Sequence, residues 1–521
     1  MPVSKPSPLS LETFFPDDVT ESSQAGSEYP SPISEKTTAF FSDNHVAGIH
    51  VGPDGEQVGV AAGRLPEEVY ANTMSGWRNA LRKKLVRCVE WESVVLAGWQ
   101  GKVRRPWLDT YFVLTSTLGT HTFFMVFLPM FFYFGGDAAG RGLCYVLGLG
   151  IYASSFLKDL VCSPRPYAPP ITRLTIGSHH LEYGFPSTHS TNSTSMALFL
   201  LSNAYTLLSA GTISNTTFQV VSAILLLYVL TIVGGRLYTG MHGFMDCTVG
   251  IVLGALMWLV QFSVMPVVER WLIGSGWIGP VTVLAVCLLM VNQHPQPVDD
   301  CPCFEDAIAI ISVVMGILIS FWVSKRVPSL DAALFTTVTP GHTLDTTGAW
   351  LTWTLFALLK LATGILAIFA WRILAKPTTQ TVLPPLFRFL ARLPVDLPNR
   401  RHYTPATEYA HGPPHHLRAI PSVIDLDMTL NMDDADGYAS GTADKLRNGA
   451  VKRRGGQPEK TVEFREVKED QLQDAIVVKH YDADVLTKVV VYAGIGVIAT
   501  MLTPAAFEAL EWGVGFPSPT F

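Results

Sequence analysis

The feature that most constrains the fold of this 521-residue chain is a series of long apolar segments. A helix needs about 20 mostly apolar residues to cross a bilayer core about 30 Å thick. Only 15% of the residues are charged, whereas soluble domains carry about 25%. We therefore predict an all-α, polytopic transmembrane helix bundle with about nine spans. The candidate spans are 107–133, 141–157, 191–210, 217–234, 245–264, 277–292, 305–323, 349–371 and 487–506.

The polar segments divide the chain into several predicted regions. The N-terminal tail has the Ser-, Pro-, Glu- and Gly-rich composition of a disordered segment. It lacks the pattern of a cleaved signal peptide, so we expect the first span to act as the signal. The basic segment that follows is typical of an amphipathic helix on a membrane surface. The predicted regions are a disordered tail at 1–76, an interfacial segment at 77–106, core helices at 107–265, additional transmembrane helices at 266–375, a polar and largely disordered insert at 376–486, and a final transmembrane helix with a C-terminal tail at 487–521.

Composition also bears on several classes of function. The net charge of −6 gives no indication of nucleic-acid binding. The seven cysteines, an odd number, do not indicate a disulfide framework, and most lie in or beside apolar segments as small hydrophobic residues. Cys301 and Cys303 lack a second pair or a nearby histidine at ligand spacing. The histidines of "HYTPATEYAHGPPHHLR" are expected to lie in a solvated loop. We therefore expect no metal and no cofactor.

Three short polar stretches lie just outside apolar helices. "KDLVCSPRP" follows the second predicted span, "PSTH" opens the third, and "RLYTGMHGFMD" connects the fourth and fifth. If the second span exits on one face, the third enters from that face and the fourth returns to it. The number of intervening helices therefore predicts that all three stretches lie on the same side of the membrane.

The first set of polar residues suits an anion. Lys158, Arg165 and Arg236 offer three cations, and the arginine fork matches phosphate oxygens. The backbone N–H groups at the start of the third span, together with the Ser187 and Thr188 hydroxyls, form a candidate anion cradle. Taken singly, these residues also have structural explanations, because basic residues at helix ends reach toward headgroups and Ser187 is a natural N-cap.

The second set suits proton transfer and nucleophilic chemistry. His189 and His242 are the side chains best able to exchange protons near neutral pH. Asp246 stands four residues after His242, so on a helix the two share a face and the carboxylate can orient the ring. A lone histidine at an interface is usually a satisfied polar group. The joint presence of both histidines, a matched carboxylate and three cations on one side favours a functional site.

These motifs resemble the three signatures of the type-2 phosphatidic acid phosphatase superfamily, which includes the vanadium haloperoxidases. The spacings match from Lys158 to Arg165, from Pro186 to His189, and from Arg236 through His242 to Asp246. Two positions depart from the pattern. Thr188 replaces the commonest glycine, and Gly235 replaces the usual serine. The change at 188, with "EYGFPSTHS" and "YTGMHG", is similar to the sphingoid-base-phosphate branch and especially to its fungal members.

The resemblance implies a helical phosphatase core and a role for each matched residue. His242 is expected to attack phosphorus and form a phosphohistidine, with Asp246 orienting its ring. His189 is expected to protonate the leaving alkoxide and then to activate water. The implied phosphate-binding groups are Lys158, Arg165, Arg236 and the Ser187–Thr188 backbone. The implied protein is a metal-independent lipid phosphatase of the endoplasmic reticulum membrane that acts on a sphingoid base 1-phosphate, with membrane lipids as its other partners.

Other functions remain open at the level of sequence. The motif spacing does not distinguish a sphingoid base phosphate from phosphatidic acid, and a phosphotransferase would use the same intermediate. An anion transporter, a catalytically inactive relative and a vanadate peroxidase are less favoured alternatives. The basic run before the first span predicts a cytosolic N-terminus and, by alternation, a cytosolic site. The resemblance implies a luminal site, and a re-entrant hairpin within 107–133 or an interfacial pass near 92–100 would reconcile the two. Glycosylation of Asn215, on the opposite face, would fix the orientation.

Overall fold

The computed structural model describes residues 50–51, 57–58, 62–119, 121–174, 182–299, 301–390 and 483–514. Most of the predicted N-terminal tail and most of the predicted polar insert lie outside the described residues. The chain divides into two compact units, Met1–Gly59 and Val60–Phe521. In the first unit, the described residues pair as a short antiparallel ribbon of β1 (His50–Val51) and β2 (Gln57–Val58), with His50 opposite Val58.

The described residues of the second unit form helices joined by turns and loops, which confirms the predicted all-α class. Short 3₁₀ turns lie at Thr117–Gly119, Pro328–Leu330 and Ala332–Leu334, and a π-helical turn lies at Ile498–Leu502. In chain order the helices are α1 (Glu67–Thr73), α2 (Gly76–Val103), α3 (Pro106–Ser116), α4 (His121–Tyr133), α5 (Asp137–Val161), α6 (Thr188–Ser209), α7 (Asn215–Tyr238), α8 (Phe244–Gly274), α9 (Ile278–Gln293), α10 (Cys303–Ser324), α11 (Thr347–Leu390), α12 (Ala483–Val497) and α13 (Thr503–Ala509).

The predicted count of nine spans is not confirmed. Among the described residues, six helices are long and apolar enough to cross a membrane, or seven if the bent pair Pro106–Gly119 and Phe123–Tyr133 forms one span. Two predicted spans, 191–210 and 277–292, are missing from this count for different reasons. α6 begins with the polar run "THSTNSTS", and α9 has 16 residues, which give it a length of only about 24 Å. The two helices of the bent pair meet at an angle of 50°. They fall almost wholly within 107–133, the segment in which a re-entrant hairpin would reconcile the cytosolic and luminal predictions for the site.

Two predicted boundaries differ from the structure. The tail is ordered before residue 76, because Tyr70 of α1 is fully buried and its hydroxyl donates to Asp299 at 2.8 Å. The Arg82 guanidinium stacks on the Tyr70 ring at 3.5 Å. The sequence did not indicate this order, because one buried aromatic residue, Tyr70, produces no repeating apolar pattern. At the other end, α11 continues to Leu390, beyond the predicted start of the insert at 376.

Close packing of α6 against α8 depends on two glycines of α8. A Cβ atom at Gly250 would lie 2.7 Å from the Ser187 carbonyl oxygen, and one at Gly254 would lie 2.4 Å from the Thr191 carbonyl oxygen. Small residues spaced four apart allow helix backbones in a membrane to approach closely. The contact holds the N-terminus of α6, which carries His189, beside the N-terminus of α8.

The long helix α2 braces the loops that carry the polar motifs. Arg78 donates to the Leu160 carbonyl at 2.7 Å and Arg82 to the Cys162 carbonyl at 3.2 Å, which satisfies acceptors at the end of α5. Farther along, Gln100 donates to the Tyr238 carbonyl at 2.8 Å, at the end of α7. The polar face of α2 therefore points into the protein and supports two of the three motifs.

The opposite face of α2 is aromatic and exposed. Trp77 and Trp91 are 61% and 64% exposed, whereas Trp99 packs edge-on against the Tyr238 ring and is 38% exposed. This distribution is the reverse of a helix on a soluble domain, where the apolar face is covered. Exposed tryptophans are typical of helices at the membrane–water interface, and the interfacial location of this segment stays a prediction.

Candidate active site

The first two cations of the site follow from the way α5 ends. Lys158 lies in the last turn of α5, and the helix stops at Cys162, whose φ of 55° is left-handed. The chain then extends to Arg165. Both basic side chains are buried, with 2% and 4% exposure. Burial lowers the pKa of Arg165, and the neighbouring Glu182 opposes that shift.

One carboxylate contacts both cations. The Lys158 ammonium donates to Glu182 Oε2 at 2.5 Å, and Arg165 Nη2 lies 3.5 Å from the same oxygen. Arg165 also donates through Nε to the Glu182 carbonyl at 3.0 Å. Sequence reasoning did not select Glu182 as a site residue, although it opens the stretch "EYGFPSTHS". A single acidic residue in a loop carries no spacing signal.

The three motif loops are joined through their backbones. Gly184 N–H donates to the Ser163 carbonyl at 2.9 Å, and Ser187 N–H donates to the Asp246 carbonyl at 3.0 Å. A Cβ atom at Gly184 would lie 2.6 Å from the Pro164 carbonyl oxygen, so only glycine permits this approach. The structure thereby brings the first, second and third motifs into one cluster at the ends of α5, α6, α7 and α8.

Ser187 caps α6. Its hydroxyl accepts from the Ser190 N–H at 3.3 Å, the capping role that sequence reasoning held as the structural alternative. Its backbone N–H and its hydroxyl are both engaged within the protein. The amides of Thr188 and His189 occupy the first turn of α6, where a helix has no intrahelical acceptor to offer them. An anion at this end of α6 is therefore expected to meet those amides, and the Ser187 hydroxyl, which accepts from Ser190, keeps its own proton for donation.

The ring of His189 lies against Arg236 and the end of α3. Arg236 Nη2 is 2.7 Å from Nδ1 and 2.8 Å from Nε2 of His189. On the other side, a Cβ atom at Gly119 would lie 2.5 Å from His189 Cδ2. Gly119 follows α3 and was not expected near the motifs. Its lack of a side chain leaves the space that the imidazole occupies.

His242 is buried and held in one tautomer. Its Nδ1 lies 2.9 Å from the Gly184 carbonyl oxygen and its Nε2 lies 3.0 Å from Arg165 Nη1. A carbonyl only accepts and a guanidinium only donates, so Nδ1 carries the proton and Nε2 presents a lone pair. Burial, followed by the charges of Arg165, Arg236 and Lys158, lowers the pKa of His242 well below its usual value. The imidazole is therefore neutral at physiological pH, as a nucleophile must be.

Asp246 lies beside His242 but makes its hydrogen bond elsewhere. The Asp246 Oδ2 to His242 Nδ1 distance is 3.6 Å, longer than a hydrogen bond. The same oxygen accepts from Gly243 N–H at 2.9 Å and so caps α8. The nearby carboxylate can offset charge on the imidazole, while the Gly184 carbonyl holds the ring in the described geometry.

Glu92 of α2 completes the cap of α8. Its Oε1 accepts from the Met245 N–H at 2.9 Å, and burial raises the pKa of this carboxyl. A Cβ atom at Gly243 would lie 1.8 Å from Glu92 Oε2, so a larger residue there would displace this carboxylate. By contrast, Gly235 faces the ring of Phe112, in keeping with its lack of an assigned side-chain role.

The charge of the cluster suits an anion better than a metal ion. Three cations surround His242, and a divalent cation there would be repelled by all of them. Among the described residues, Asp159, Cys301 and Cys303 form a group whose potential ligand atoms lie within 4.8 Å of one another. The Cys301 and Cys303 sulfurs lie close together, and a disulfide between them would remove both thiolates as ligands.

Comparison with known proteins agrees with the geometry. The profile of the PAP2 superfamily matches residues 139–270. A dihydrosphingosine 1-phosphate phosphatase of Schizosaccharomyces pombe is 35% identical over 60% of this chain and 73% of its own length. A second protein of that name, from Saccharomyces cerevisiae, is 36% identical over 51% of this chain and 65% of its own. A PAP2-type phosphatidylglycerolphosphate phosphatase structure from Bacillus subtilis is 21% identical over 37% of this chain and 92% of its own, with a TM-score of 0.29, too low for residue-by-residue superposition.

The fold and the site define an integral membrane phosphoric monoester hydrolase. The chain belongs to the PAP2 superfamily, which confirms the resemblance seen in its three motifs.

Proposed function

We propose that this protein hydrolyses a sphingoid base 1-phosphate to the free base and inorganic phosphate in the endoplasmic reticulum membrane. The observation that carries the proposal is the neutral His242, with its Nε2 lone pair facing Arg165 within a cluster of cations. The two fungal relatives, both named dihydrosphingosine 1-phosphate phosphatases, support the choice of substrate.

In the first step His242 Nε2 attacks phosphorus. The Nε2–P bond forms while the bond from phosphorus to the ester oxygen breaks. His189 gives a proton to the departing alkoxide, so the free base leaves as an alcohol. The phosphorylated ring carries additional positive charge, which Asp246 at 3.6 Å offsets while the Gly184 carbonyl holds Nδ1–H.

In the second step water hydrolyses the phosphohistidine. His189, now neutral, takes a proton from water as the water oxygen attacks phosphorus. The Nε2–P bond breaks, and inorganic phosphate and neutral His242 are released. One group serves as acid and then as base, so the site returns to its starting protonation state.

The cations carry the charge of the transferring group. Phosphoryl transfer depends mainly on positioning and on stabilising charge that spreads over the equatorial oxygens. Lys158, Arg165 and Arg236 surround His242 closely enough to lower its pKa, and the first amides of α6 supply further donors. In this proposal the fixed cations provide what a metal ion provides in other phosphatases.

The surrounding helices suit a lipid substrate. The spans formed by α7 and α8 are mostly exposed, with 11% and 6% of their most apolar windows buried. The site lies at the C-terminal end of α7 and the N-terminal end of α8. A hydrocarbon chain can therefore lie along these helices while its phosphate reaches the cations at headgroup depth.

The test is phosphate release by purified protein in detergent micelles with a chelator present. We expect release of inorganic phosphate from sphinganine 1-phosphate, and an acid-labile phosphoprotein that is lost in His242→Ala. Absence of phosphate release from every lipid phosphate tried would contradict the assignment. Transfer of the phosphate to an added alcohol, with no inorganic phosphate formed, would indicate a phosphotransferase.

A further inference from the structure

Glu182 occupies the position of an anion in the described site. One of its oxygens, Oε2, contacts both the Lys158 ammonium and the Arg165 guanidinium. The carboxylate is 9% exposed and buried among the groups expected to bind phosphate. The proposed mechanism gives this residue no role.

A bound phosphate must replace Glu182 as the partner of these cations. The displaced carboxylate then lies next to a phosphate that carries the same sign of charge. Two like charges at such a distance repel strongly in a buried site. A lipid phosphate with no positive charge of its own does not compensate this repulsion. Binding sites commonly use such a repulsion to disfavour the wrong ligand.

We propose that Glu182 is the specificity residue for the substrate's ammonium group, an inference that rests on the proposed function. In a 2-amino alkyl 1-phosphate, the nitrogen is separated from phosphorus by only the ester oxygen and two carbons. A phosphate held by Lys158 and Arg165 therefore places the ammonium beside the displaced carboxylate. Glu182 exchanges its contact with the two basic side chains for a charge-assisted hydrogen bond to the substrate.

The exchange leaves every charge paired. Before binding, the carboxylate partners Lys158 and Arg165. After binding, the phosphate partners the basic side chains and the ammonium partners the carboxylate. Phosphatidic acid and other lipid phosphates without nitrogen supply only the first of these partners. The Glu182 carboxylate therefore favours substrates with an ammonium group and repels lipid phosphates that lack one.

The experiment compares two single-chain substrates that differ at one group. Sphinganine 1-phosphate carries the ammonium, and N-acetylsphinganine 1-phosphate carries an uncharged amide at the same carbon. For the wild-type protein we expect kcat/KM to favour the amine by about tenfold or more, since a charged hydrogen bond is lost with the amide. Glu182→Gln should lose most of its activity on the amine and keep or gain activity on the amide, so that the ratio approaches one.

Controls separate selection from a structural role. If Glu182 only holds Lys158 and Arg165 in place, Glu182→Gln loses activity equally on both substrates, and the proposal is overturned. Glu90→Gln removes an exposed carboxylate of α2 and should leave the ratio unchanged. If Glu182→Gln does not fold, the wild-type ratio still decides, because equal rates on amine and amide contradict the proposal. Absence of activity on either substrate would instead contradict the proposed function.

Discussion

Nε2 of His242 lies 3.0 Å from Nη1 of Arg165, while Nδ1 of the same ring donates to the Gly184 carbonyl. The two contacts fix one tautomer and point the lone pair of Nε2 toward a cation. Phosphorus must approach Nε2 from that side. The guanidinium that faces the nucleophile is therefore also positioned to bind the oxygens of the phosphoryl group.

The two histidines are expected to be essential for different steps. His242→Ala removes the nucleophile, and His189→Ala removes the acid and base, whose loss costs about 10²- to 10⁴-fold in rate. We expect both variants to have turnover at or near background with sphinganine 1-phosphate, measured as phosphate release. Size-exclusion elution matching the wild type would show that folding is retained. Substantial residual turnover in either variant would contradict these roles.

A substrate with a good leaving group separates the two roles. p-Nitrophenolate departs without protonation, so His189→Ala should still be phosphorylated by p-nitrophenyl phosphate but should hydrolyse the intermediate slowly. We expect an initial burst of nitrophenolate and an acid-labile phosphoprotein in His189→Ala, and neither in His242→Ala. A burst in His242→Ala would place the nucleophile elsewhere.

The lowered pKa of His242 predicts the acid side of the pH profile. The neutral ring is the reactive form, so its contribution to kcat/KM is lost as pH falls through its pKa. Burial and the charges of Arg165, Arg236 and Lys158 hold that pKa well below 6.5. We therefore expect the loss of kcat/KM caused by His242 protonation, measured as phosphate release across a pH series, to begin well below the usual histidine range.

Removal of one of the positive charges around His242 should move the acid limb of the pH profile of kcat/KM. Lys158→Met removes a positive charge that lowers the His242 pKa, so the acid limb of kcat/KM should shift to higher pH while the overall rate falls. The substrate's own second ionisation, near pH 6, is the same for both proteins and cancels in the comparison. An unchanged limb would show that Lys158 does not influence the nucleophile.

The motifs were predictable because chemistry and spacing both lie within short stretches of sequence. Lys158 with Arg165, Pro186 with His189, and His242 with Asp246 are local pairs. The number of helices between the stretches predicts that they share one face of the membrane. In the structure these stretches meet at the ends of α5, α6, α7 and α8.

The supporting contacts were not predictable from such patterns. Gly184 acts through its carbonyl and Gly119 through a missing side chain, and neither feature depends on spacing. Glu92 comes from α2 and Glu182 from a loop, so their contacts exist only after the helices pack. The count of nine spans is not confirmed, because the predicted span 191–210 corresponds to α6 with its polar start and the predicted span 277–292 corresponds to α9, which has only 16 residues.

Packing of α6 on α8 predicts a stability effect at Gly254. In Gly254→Ala the new Cβ would lie 2.4 Å from the Thr191 carbonyl oxygen, which is backbone and cannot rotate away. Overpacking of this kind costs about 1–3 kcal/mol. We expect a lower thermal midpoint in detergent and reduced activity, because the N-termini of both helices carry site residues.

Gly234→Ala is the matched control for that variant. Gly234 lies in α7, and a Cβ atom there meets nothing within 4 Å. This substitution in α7 should leave the activity unchanged. The thermal midpoint should stay the same or rise slightly, since alanine forms helices better than glycine. If Gly254→Ala and Gly234→Ala behave alike, the close approach of α6 and α8 is not what Gly254 provides.

The contact between Gly119 and His189 predicts a defect in catalysis. A Cβ atom at Gly119 would lie 2.5 Å from His189 Cδ2, so Gly119→Ala should displace the imidazole from its position in the site. Displacement of a catalytic group by about 1 Å can cost about 10²-fold in rate. We expect kcat, measured as phosphate release, to fall by roughly that factor. Gly98→Ala in α2, where a Cβ meets nothing within 4 Å, should retain wild-type kinetics. Full activity in Gly119→Ala would show that the position of the His189 ring does not depend on this glycine.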